Sequence, residues 1–236
     1  MSAPSYSAAM SEELREEVAL GCRILAGEDQ GDFVWGHVSV RDPDGRGIWM
    51  KASTYGLEEI GPGQVILVSW DGEVLEGEGR RHIEYPIHTE LMRVREDVTC
   101  VVHTHAPWAV AFASTQAPLR PISHEATLFV PPEVARFTKT GDLIMTRQLG
   151  EDVAESVGER NAAFMLHHGI VTCGPDVVTG VMAAVLLERA CRTNIRALAG
   201  GGPKSWSSHE EALAKREHCW SPQLLQQAWD YLARRA

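Results

Sequence analysis

Two histidines at the end of an apolar run most constrain what this chain can fold into. Cys100, Val101 and Val102 predict a short buried strand, which continues into His103 and His105. Since side chains at positions i and i+2 of a strand point to the same side, both imidazoles are expected on one face. Such a pair is a common beginning of a metal site. Taken alone, however, the motif favours an ordinary pair of hydrogen-bonded histidines.

Two further motifs strengthen the case for a metal site. Glu84 lies nineteen residues before His103, and His168 lies directly before a glycine within an apolar stretch. With these motifs in this order, the sequence resembles the class II aldolase/adducin family from about residue 13 to residue 198. The resemblance implies that His103, His105 and His168 bind one divalent metal ion per chain. It also implies that Glu84 is a fourth ligand or an acid/base group beside the ion.

The implied ligand set limits the ion and its chemistry. Three neutral imidazoles suit Zn²⁺ or Mn²⁺, with Co²⁺ and Fe²⁺ as alternatives, and the sequence does not choose among them. Three protein ligands also leave a coordination position open for a substrate. A cation that chelates two substrate oxygens withdraws electrons from a C–C bond as it breaks. This chemistry serves retro-aldol cleavage and decarboxylation alike.

Charge and composition argue against several kinds of partner. A net charge of -10 disfavours a nucleic-acid-binding surface, which needs clustered Lys and Arg. No apolar run is long enough for a membrane span, and the first residues lack the basic start and apolar run of a secretory signal. The cysteines are odd in number and widely spaced, which favours reduced, mostly buried thiols in a cytoplasmic protein. They are Cys22, Cys100, Cys173, Cys191 and Cys219.

The order of apolar patterns predicts an α/β fold with a mixed, mainly antiparallel sheet flanked by helices. Residues 1–10 are expected to be loose, Ser11 to cap the first helix, and Asp71-Gly72 to form a tight type I′ turn. The family resemblance implies a single three-layer αβα domain over residues 1–236, with a C-terminal arm and helix at 203–236. The strands are predicted at 37–40, 48–51, 65–70, 73–76, 99–104, 143–146, 162–166 and 170–172, and the helices at 11–27, 86–94, from 107, 151–157, 177–199 and 222–235.

Departures from the sugar-phosphate members of the family bear on the substrate. Those members use Gly-Asn on the first strand and Ser-Ser before the glutamate, where this sequence has Gly36-His37 and His82-Ile83. Small hydroxyl groups are thus replaced by imidazoles and arginines, and arginine binds planar carboxylates in a bidentate way. We therefore expect a small-molecule carboxylate as substrate. The candidate substrate-binding residues are His37, Ser53, Arg80, Arg81 and His82.

Three functions remain open. The stretches Gly-His-Val-Ser-Val-Arg and Arg-Arg-His-Ile-Glu resemble the branch of the family that decarboxylates hydroxylated aromatic dicarboxylates, of the dihydroxyphthalate or hydroxypyridine-dicarboxylate type. We favour this reaction. A retro-aldolase acting on a non-phosphorylated hydroxy-keto acid or sugar acid is the main alternative. A non-catalytic adducin-like module is the third, although such modules lack the three histidines.

Other titratable residues have expected roles beside the ligand set. The family's aldolases use the matching glutamate as a proton shuttle, so Glu84 is the first candidate to protonate the product carbon and His124 is the second. His88 is expected either as a hydrogen-bond partner behind the site or as an exposed side chain. His167 is expected to pack or to donate a hydrogen bond rather than to bind the ion.

The resemblance also implies a homo-oligomer, specifically a tetramer whose active sites lie at subunit interfaces. The C-terminal arm has more aromatic side chains than a solvated tail needs. We therefore expect the arm to pack over a pocket of its own subunit or of a neighbour. Its aromatic residues are Trp206, Trp220, Trp229 and Tyr231.

Overall fold

The computed structural model describes the backbone of residues 6–236 and the side chains from residue 10 onward. This part of the chain forms eight strands and eight α-helices. The strands are β1 (His37–Arg41), β2 (Gly47–Lys51), β3 (Val65–Ser69), β4 (Val74–Glu76), β5 (Cys100–Thr104), β6 (Ala135–Phe137), β7 (Ala162–Met165) and β8 (Gly169–Gly174). The helices are α1 (Tyr6–Leu25), α2 (Pro86–Val94), α3 (Pro107–Ser114), α4 (His124–Thr127), α5 (Arg147–Val157), α6 (Val177–Ala199), α7 (His209–Cys219) and α8 (Pro222–Ala233).

All eight strands form one sheet in the order β4-β3-β2-β1-β5-β8-β7-β6. Neighbouring strands pair antiparallel except β6 and β7, which are parallel. The expected mixed, mainly antiparallel sheet is therefore confirmed. The two histidines after Val102 lie on β5 and just beyond it, near the centre of the sheet, where strands on both sides support them.

Helices cover both faces of the sheet, which confirms the three-layer α/β arrangement. One apolar core lies beneath α1, α3, α6 and α8 and includes Val102 and Ile170. The other lies beneath α2 and α5 and includes Val101 and Val171. Since adjacent residues of β5 and β8 contribute to opposite cores, these strands are buried on both faces. Such burial explains why their sequences are continuous apolar runs rather than alternating ones.

Several predicted elements differ from the structure. The first helix begins at Tyr6, so residues 6–10 are helical rather than loose and Ser11 is not its cap, while residues 1–5 lie outside the described chain. The predicted strand at 143–146 does not form, because the Ile144 amide donates to the Glu84 carboxylate instead of to a strand. The helix α7 has no predicted counterpart, since its sequence is polar and buries only Ala212.

The hairpin between β3 and β4 is present, but its turn is not of type I′. The Gly72 amide donates to the Ser69 carbonyl at 3.0 Å, and Gly72 has a positive φ of 92°, whereas Asp71 does not have a positive φ. A type I′ turn requires positive φ at both central residues, so this hairpin closes through a different turn, which a left-handed glycine follows.

The C-terminal arm packs on its own domain. α8 lies against α6 and α1, with Trp229 buried beside Gly21, and α7 lies against α4. The cysteines are free thiols, of which four are buried and Cys219 is half-buried, as expected for mostly buried thiols. None of the described helices combines the length and the apolar character needed to cross a membrane.

Candidate metal and active site

Four potential ligands converge at one end of the central strands. β5 delivers His103 and then His105, the turn from β7 into β8 delivers His168, and the segment before α2 delivers Glu84. Ligand atoms from all four side chains lie within 4.8 Å of one another. We call these four residues the cluster. The structure therefore brings together the three histidines and the glutamate that were singled out in the sequence.

The glycine after His168 is needed for this convergence. Gly169 pairs in β8 next to the end of β5, and a Cβ atom there would lie 2.4 Å from the Thr104 carbonyl oxygen and 3.2 Å from Cε1 of His103. Any larger residue would push β8 away from β5. The His-Gly motif therefore has a local physical cause, since only glycine allows the backbone to approach the histidines this closely.

Hydrogen bonds fix which nitrogen of His103 and of His105 faces the cluster. His103 donates from Nδ1 to the Ile170 carbonyl at 2.9 Å, and His105 donates from Nδ1 to the Asp32 carboxylate at 2.7 Å. Both Nε2 atoms then carry lone pairs, yet they are buried without a hydrogen-bond partner in the described chain, and so is Nε2 of His168. Buried polar atoms without partners are rare. Three bare imidazole nitrogens at short mutual range fit a divalent cation.

Glu84 supplies negative charge to the cluster. Its Oε1 accepts from the Ile144 amide at 2.8 Å and lies 3.5 Å from Nε2 of His168, while Oε2 lies 3.8 Å from Nε2 of His103. Burial by itself raises the pKa of Glu84, but His168, His103 and the Ile144 amide together outweigh it and lower the pKa to about 2. The residue is therefore an ionised carboxylate at neutral pH, the form that binds a cation.

Burial keeps His103 in the form that can coordinate a metal. Its pKa lies well below the ordinary value of 6.5, chiefly because burial penalises the charged ring, with His168 and His105 acting in the same direction and Glu84 opposing them. A neutral imidazole has a free lone pair, whereas an imidazolium does not.

A second group of imidazoles lies beside the cluster. His37 faces His103 across the β1–β5 register, and their ring centroids are 5.0 Å apart. Nδ1 of His37 lies 2.6 Å from Nε2 of His88, whose Nδ1 lies 2.6 Å from Oγ of Ser39. The His82 ring lies 4.4 Å from the His37 ring. His88 is fully buried, so the expectation of a hydrogen-bond partner behind the site is confirmed over exposure.

Burial also lowers the pKa values in this second group. The pKa of His82 falls to about 3, first through burial and then through the charges of Lys51 and His88. The pKa of His88 falls to about 3 through burial, although Glu84 acts in the opposite direction. Both rings are neutral at pH 7, so each presents one N–H donor and one lone pair.

The remaining candidates lie at different distances from this centre. Ser53 is half-buried, and its amide donates to the Arg80 carbonyl at 2.7 Å, while the Arg80 side chain is exposed. The Arg81 guanidinium donates from Nε to the Gly72 carbonyl at 2.6 Å and from Nη1 to the His82 carbonyl at 3.2 Å. His124 is exposed, and its Nδ1 lies 3.0 Å from Sγ of Cys219. Of the substrate candidates, His37 and His82 have rings that lie against the histidines beside the cluster, and the Arg81 side chain reaches the His82 backbone.

Two residues of the site were not identified in the sequence. Asp32 orients His105, but it lies in an irregular loop whose position depends on the whole fold. Lys51 ends β2 with a fully buried side chain, and its Nζ lies 3.3 Å from Nε2 of His82. One signal was available for Lys51: it follows Trp49 at i+2 and so shares the face of a buried strand position, where a lysine is unusual.

Exposed apolar residues lie next in sequence to residues that form the cluster or donate to it. One of them follows Asp32, another precedes Glu84, and two flank Ile144, so their neighbours in sequence contact the cluster. Trp35 lies with its ring 6.3 Å from the ring of His105. We call this set the rim; it consists of Phe33, Trp35, Ile83, Leu143 and Met145. Exposed apolar groups of this kind mark binding surfaces for a ligand or for another protein.

Comparisons with known proteins agree with the motifs. A family model described as the Class II Aldolase and Adducin N-terminal domain matches residues 16–195. A 3,4-dihydroxyphthalate decarboxylase from Arthrobacter keyseri is 29% identical over 204 residues, which cover 80% of this chain and 80% of that protein. A 5-deoxy-D-ribulose 1-phosphate aldolase from Bacillus thuringiensis serovar kurstaki is 30% identical over 213 residues, which cover 88% of this chain and 96% of that protein.

A solved structure supports the fold independently of function. The L-fuculose 1-phosphate aldolase from Glaciozyma antarctica superposes with a TM-score of 0.84 over 99% of this chain and 92% of that chain. At 24% identity this similarity concerns the fold alone. The fold and the family resemblance inferred from the motifs are both confirmed.

Proposed function

The chain belongs to the class II aldolase and adducin family as a lyase, and from this premise we propose that it is a metal-dependent decarboxylase of a hydroxylated aromatic dicarboxylate. The observation that carries the proposal is the pair of neutral imidazoles of His37 and His82 beside the cluster, whose ring centroids are 4.4 Å apart. Their N–H groups suit a planar carboxylate, and they stand where the sugar-phosphate members have small polar residues. The decarboxylase relative from Arthrobacter supports the same reading.

The proposed cofactor is one divalent ion per chain, Zn²⁺ or Mn²⁺, with Co²⁺ and Fe²⁺ as alternatives. His103, His105 and His168 would hold it through their Nε2 atoms, and the absence of other partners for these atoms supports this assignment. When bound, such a cation supplies Lewis acidity, which draws electron density from the aromatic ring as CO₂ departs. Glu84 adds an ionised carboxylate within the same cluster.

Glu84 is the proposed proton carrier. Its Oε1 is held by the Ile144 amide, which leaves Oε2 as the oxygen that exchanges a proton. Oε2 takes the proton of the substrate hydroxyl, CO₂ leaves with the C–C bond broken, and Oε2 returns the proton to the ring carbon that carried the carboxylate. The product oxygen regains a proton from water after release. Glu84 ranks above His124 because the described contacts of His124 do not include the cluster.

A homotetramer with the active site at a subunit interface is part of the proposal. The rim supports it, because five exposed apolar side chains near the cluster are more than a solvated pocket needs. Phe33 is 80% exposed, so a neighbouring subunit or a bound aromatic ring would remove a large apolar surface from water.

The test is a panel of candidate substrates assayed with metal-loaded protein and a CO₂ detector. The panel contains hydroxylated ortho-dicarboxylates of benzene and of pyridine, together with short hydroxy-keto acids and sugar acids. CO₂ release from an aromatic dicarboxylate supports the proposal. His167→Ala serves as a control that keeps activity, since His167 is exposed, while His168→Ala abolishes it. No CO₂ from any aromatic dicarboxylate would reject it.

The retro-aldolase remains the second candidate, and the aldolase relative from Bacillus favours it. That relative matches this chain over nearly its whole length, so the same fold supports aldol chemistry. Release of an aldehyde or of pyruvate instead of CO₂ in the same panel would establish this alternative. A non-catalytic adducin-like module is the weakest candidate, because such modules lack the three histidines that this chain brings together in the cluster.

A further inference from the structure

Lys51 is a buried cation next to the second group of imidazoles. Its side chain is 0% exposed, and its Nζ donates to the Val34 carbonyl at 2.9 Å and contacts the Ala52 carbonyl at 3.4 Å. Within the described chain, no carboxylate forms an ion pair with it. A lysine is seldom fully buried without such a partner, because removing an ammonium from water is costly. A role other than packing would explain why the position holds a lysine.

The third contact of this amine connects it to the site. Nζ lies 3.3 Å from Nε2 of His82. Since an ammonium group has donors and no acceptor, Nε2 of His82 must accept, and the ring then carries its single proton on Nδ1. The Val34 contact lies in the loop that also contains Asp32, the partner of His105. Lys51 therefore fixes both the tautomer of His82 and the loop behind one cluster histidine.

The charge of Lys51 has few competitors at this place. The Arg81 guanidinium donates to the Gly72 and His82 carbonyls and lies over the Tyr85 ring, so it contacts the backbone of His82 and not its imidazole, and the Arg80 side chain is exposed. A buried charge acts over a longer range than an exposed one, since the surrounding medium screens it less. Lys51 cannot touch a substrate itself because its side chain is fully buried, whereas His82 is 7% exposed and contacts both the amine and the His37 ring.

We propose that Lys51 is a positioning residue for a substrate carboxylate, acting through His82. It holds His82 as an Nδ1–H donor and places a buried positive charge behind that donor. The inference rests on the proposed function only in that the ligand is a carboxylate; it does not depend on which bond the protein breaks. The expectation that Arg80 or Arg81 binds the carboxylate stays a prediction beside this role of Lys51.

The experiment measures the binding of phthalate, which has two carboxylates but no hydroxyl group to react. Metal-loaded wild-type protein, Lys51→Met and Lys51→Gln are titrated with phthalate by calorimetry. Lys51→Met removes the donor and the charge, so its Kd for phthalate should rise roughly tenfold or more. Lys51→Gln keeps a hydrogen-bond donor without the charge, so its Kd for phthalate should rise less than that of Lys51→Met. With an identified substrate, KM should rise more than kcat falls, because the lysine positions the ligand and does not transfer the proton.

A matched control separates positioning from stability. Ile48→Ala shortens a buried side chain of the same strand, whose apolar contacts lie in the core beneath α2 and α5, and it should leave the affinity for phthalate unchanged. Equal phthalate affinity of Lys51→Met and wild type, at equal metal content, overturns the proposal, as does an equal loss of affinity in Ile48→Ala. Should Lys51→Met not fold, Lys51→Gln decides by the same criterion. Wild-type protein that fails to bind phthalate also overturns it, whereas CO₂ release in the substrate panel reports separately on the proposed reaction.

Discussion

His167 and His168 are consecutive in the chain but have opposite surroundings. The side chain of His168 is 6% exposed and lies in the cluster, whereas His167 is exposed and adopts a left-handed φ of 61°. The turn from β7 into β8 separates the two rings. Because they differ in position by a single residue, they form a matched pair for testing the metal site.

His168→Ala should lose most of the bound divalent ion, and His167→Ala should keep it. The reason is that His168 offers a buried Nε2 to the cluster while His167 does not. Both variants are saturated with Zn²⁺ or Mn²⁺, freed of unbound metal by gel filtration and analysed for metal content. Equal metal content in the two variants would contradict the assignment.

Glu84→Gln should keep the metal and lower turnover by about 10²–10⁴-fold, the usual contribution of a general acid/base group. The amide oxygen still accepts from Ile144, but it cannot carry the proton. Steady-state rates and metal content are measured together. Glu188→Gln is the control, since Glu188 is also buried but accepts from the amides of Trp108 and Ala109 instead. Loss of metal in Glu84→Gln would make the residue a structural ligand; near-normal turnover would place the proton elsewhere.

Acid should destabilise the metal-free protein below pH 6.5. The pKa values of His82 and His88 are lowered to about 3 in the folded chain, against an ordinary value of 6.5. Between these values the unfolded chain binds more protons than the folded one, so the free energy of unfolding falls as the pH falls. For one such histidine the loss between pH 7 and pH 5 is about 2 kcal/mol.

Urea unfolding at pH 7 and pH 5, in the presence of a chelator, measures this loss. His88→Gln lacks one of the buried imidazoles, so its unfolding free energy should change less between the two pH values than that of the wild type. The same dependence in both proteins would show that His88 binds its proton near the ordinary pKa when folded.

The purified protein should be a tetramer, and charges on the rim should dissociate it. Light scattering at micromolar concentration measures the mass of the wild type and of Ile83→Glu and Phe33→Asp. Both positions are exposed in the single chain, so the substitutions do not disturb its core. A charge buried between subunits costs several kcal/mol. A wild-type monomer, or variants that remain tetrameric, would mean that the rim faces solvent or substrate only.

The sequence motifs predicted the candidate ligands better than the residues that hydrogen-bond to them. The strand period of two predicted that His103 and His105 share a face, and the family resemblance implied that His168, directly before a glycine, completes the ligand set. Helix α2 begins at Pro86 as predicted, because proline suits a first turn. Each of these signals spans only a few residues of sequence, and the family resemblance joined the separate histidine motifs into one ligand set.

Contacts made at long sequence separation could not be read in this way. Asp32 reaches His105 across 73 residues, and Lys51 reaches His82 across 31. Arg81 stays a predicted anion-binding residue, but its contacts with the Gly72 and His82 carbonyls could not be inferred from the sequence. Ile144 shows the same limit for backbone, since its amide serves a carboxylate that lies 60 residues earlier and the segment forms no strand.

The cluster also joins distant parts of the chain. Its ligands come from the segment before α2, from β5 and from the turn between β7 and β8, so a single ion would tie three stretches that are far apart in sequence. An unfolded chain rarely holds these stretches together, because closing long loops costs entropy. An ion that binds only the folded arrangement adds its binding free energy to the stability of the whole domain. The proposed cofactor would thus cross-link the chain reversibly near the centre of the sheet. Loss of the metal would lower the free energy of unfolding of the whole domain as well as disrupt the active site.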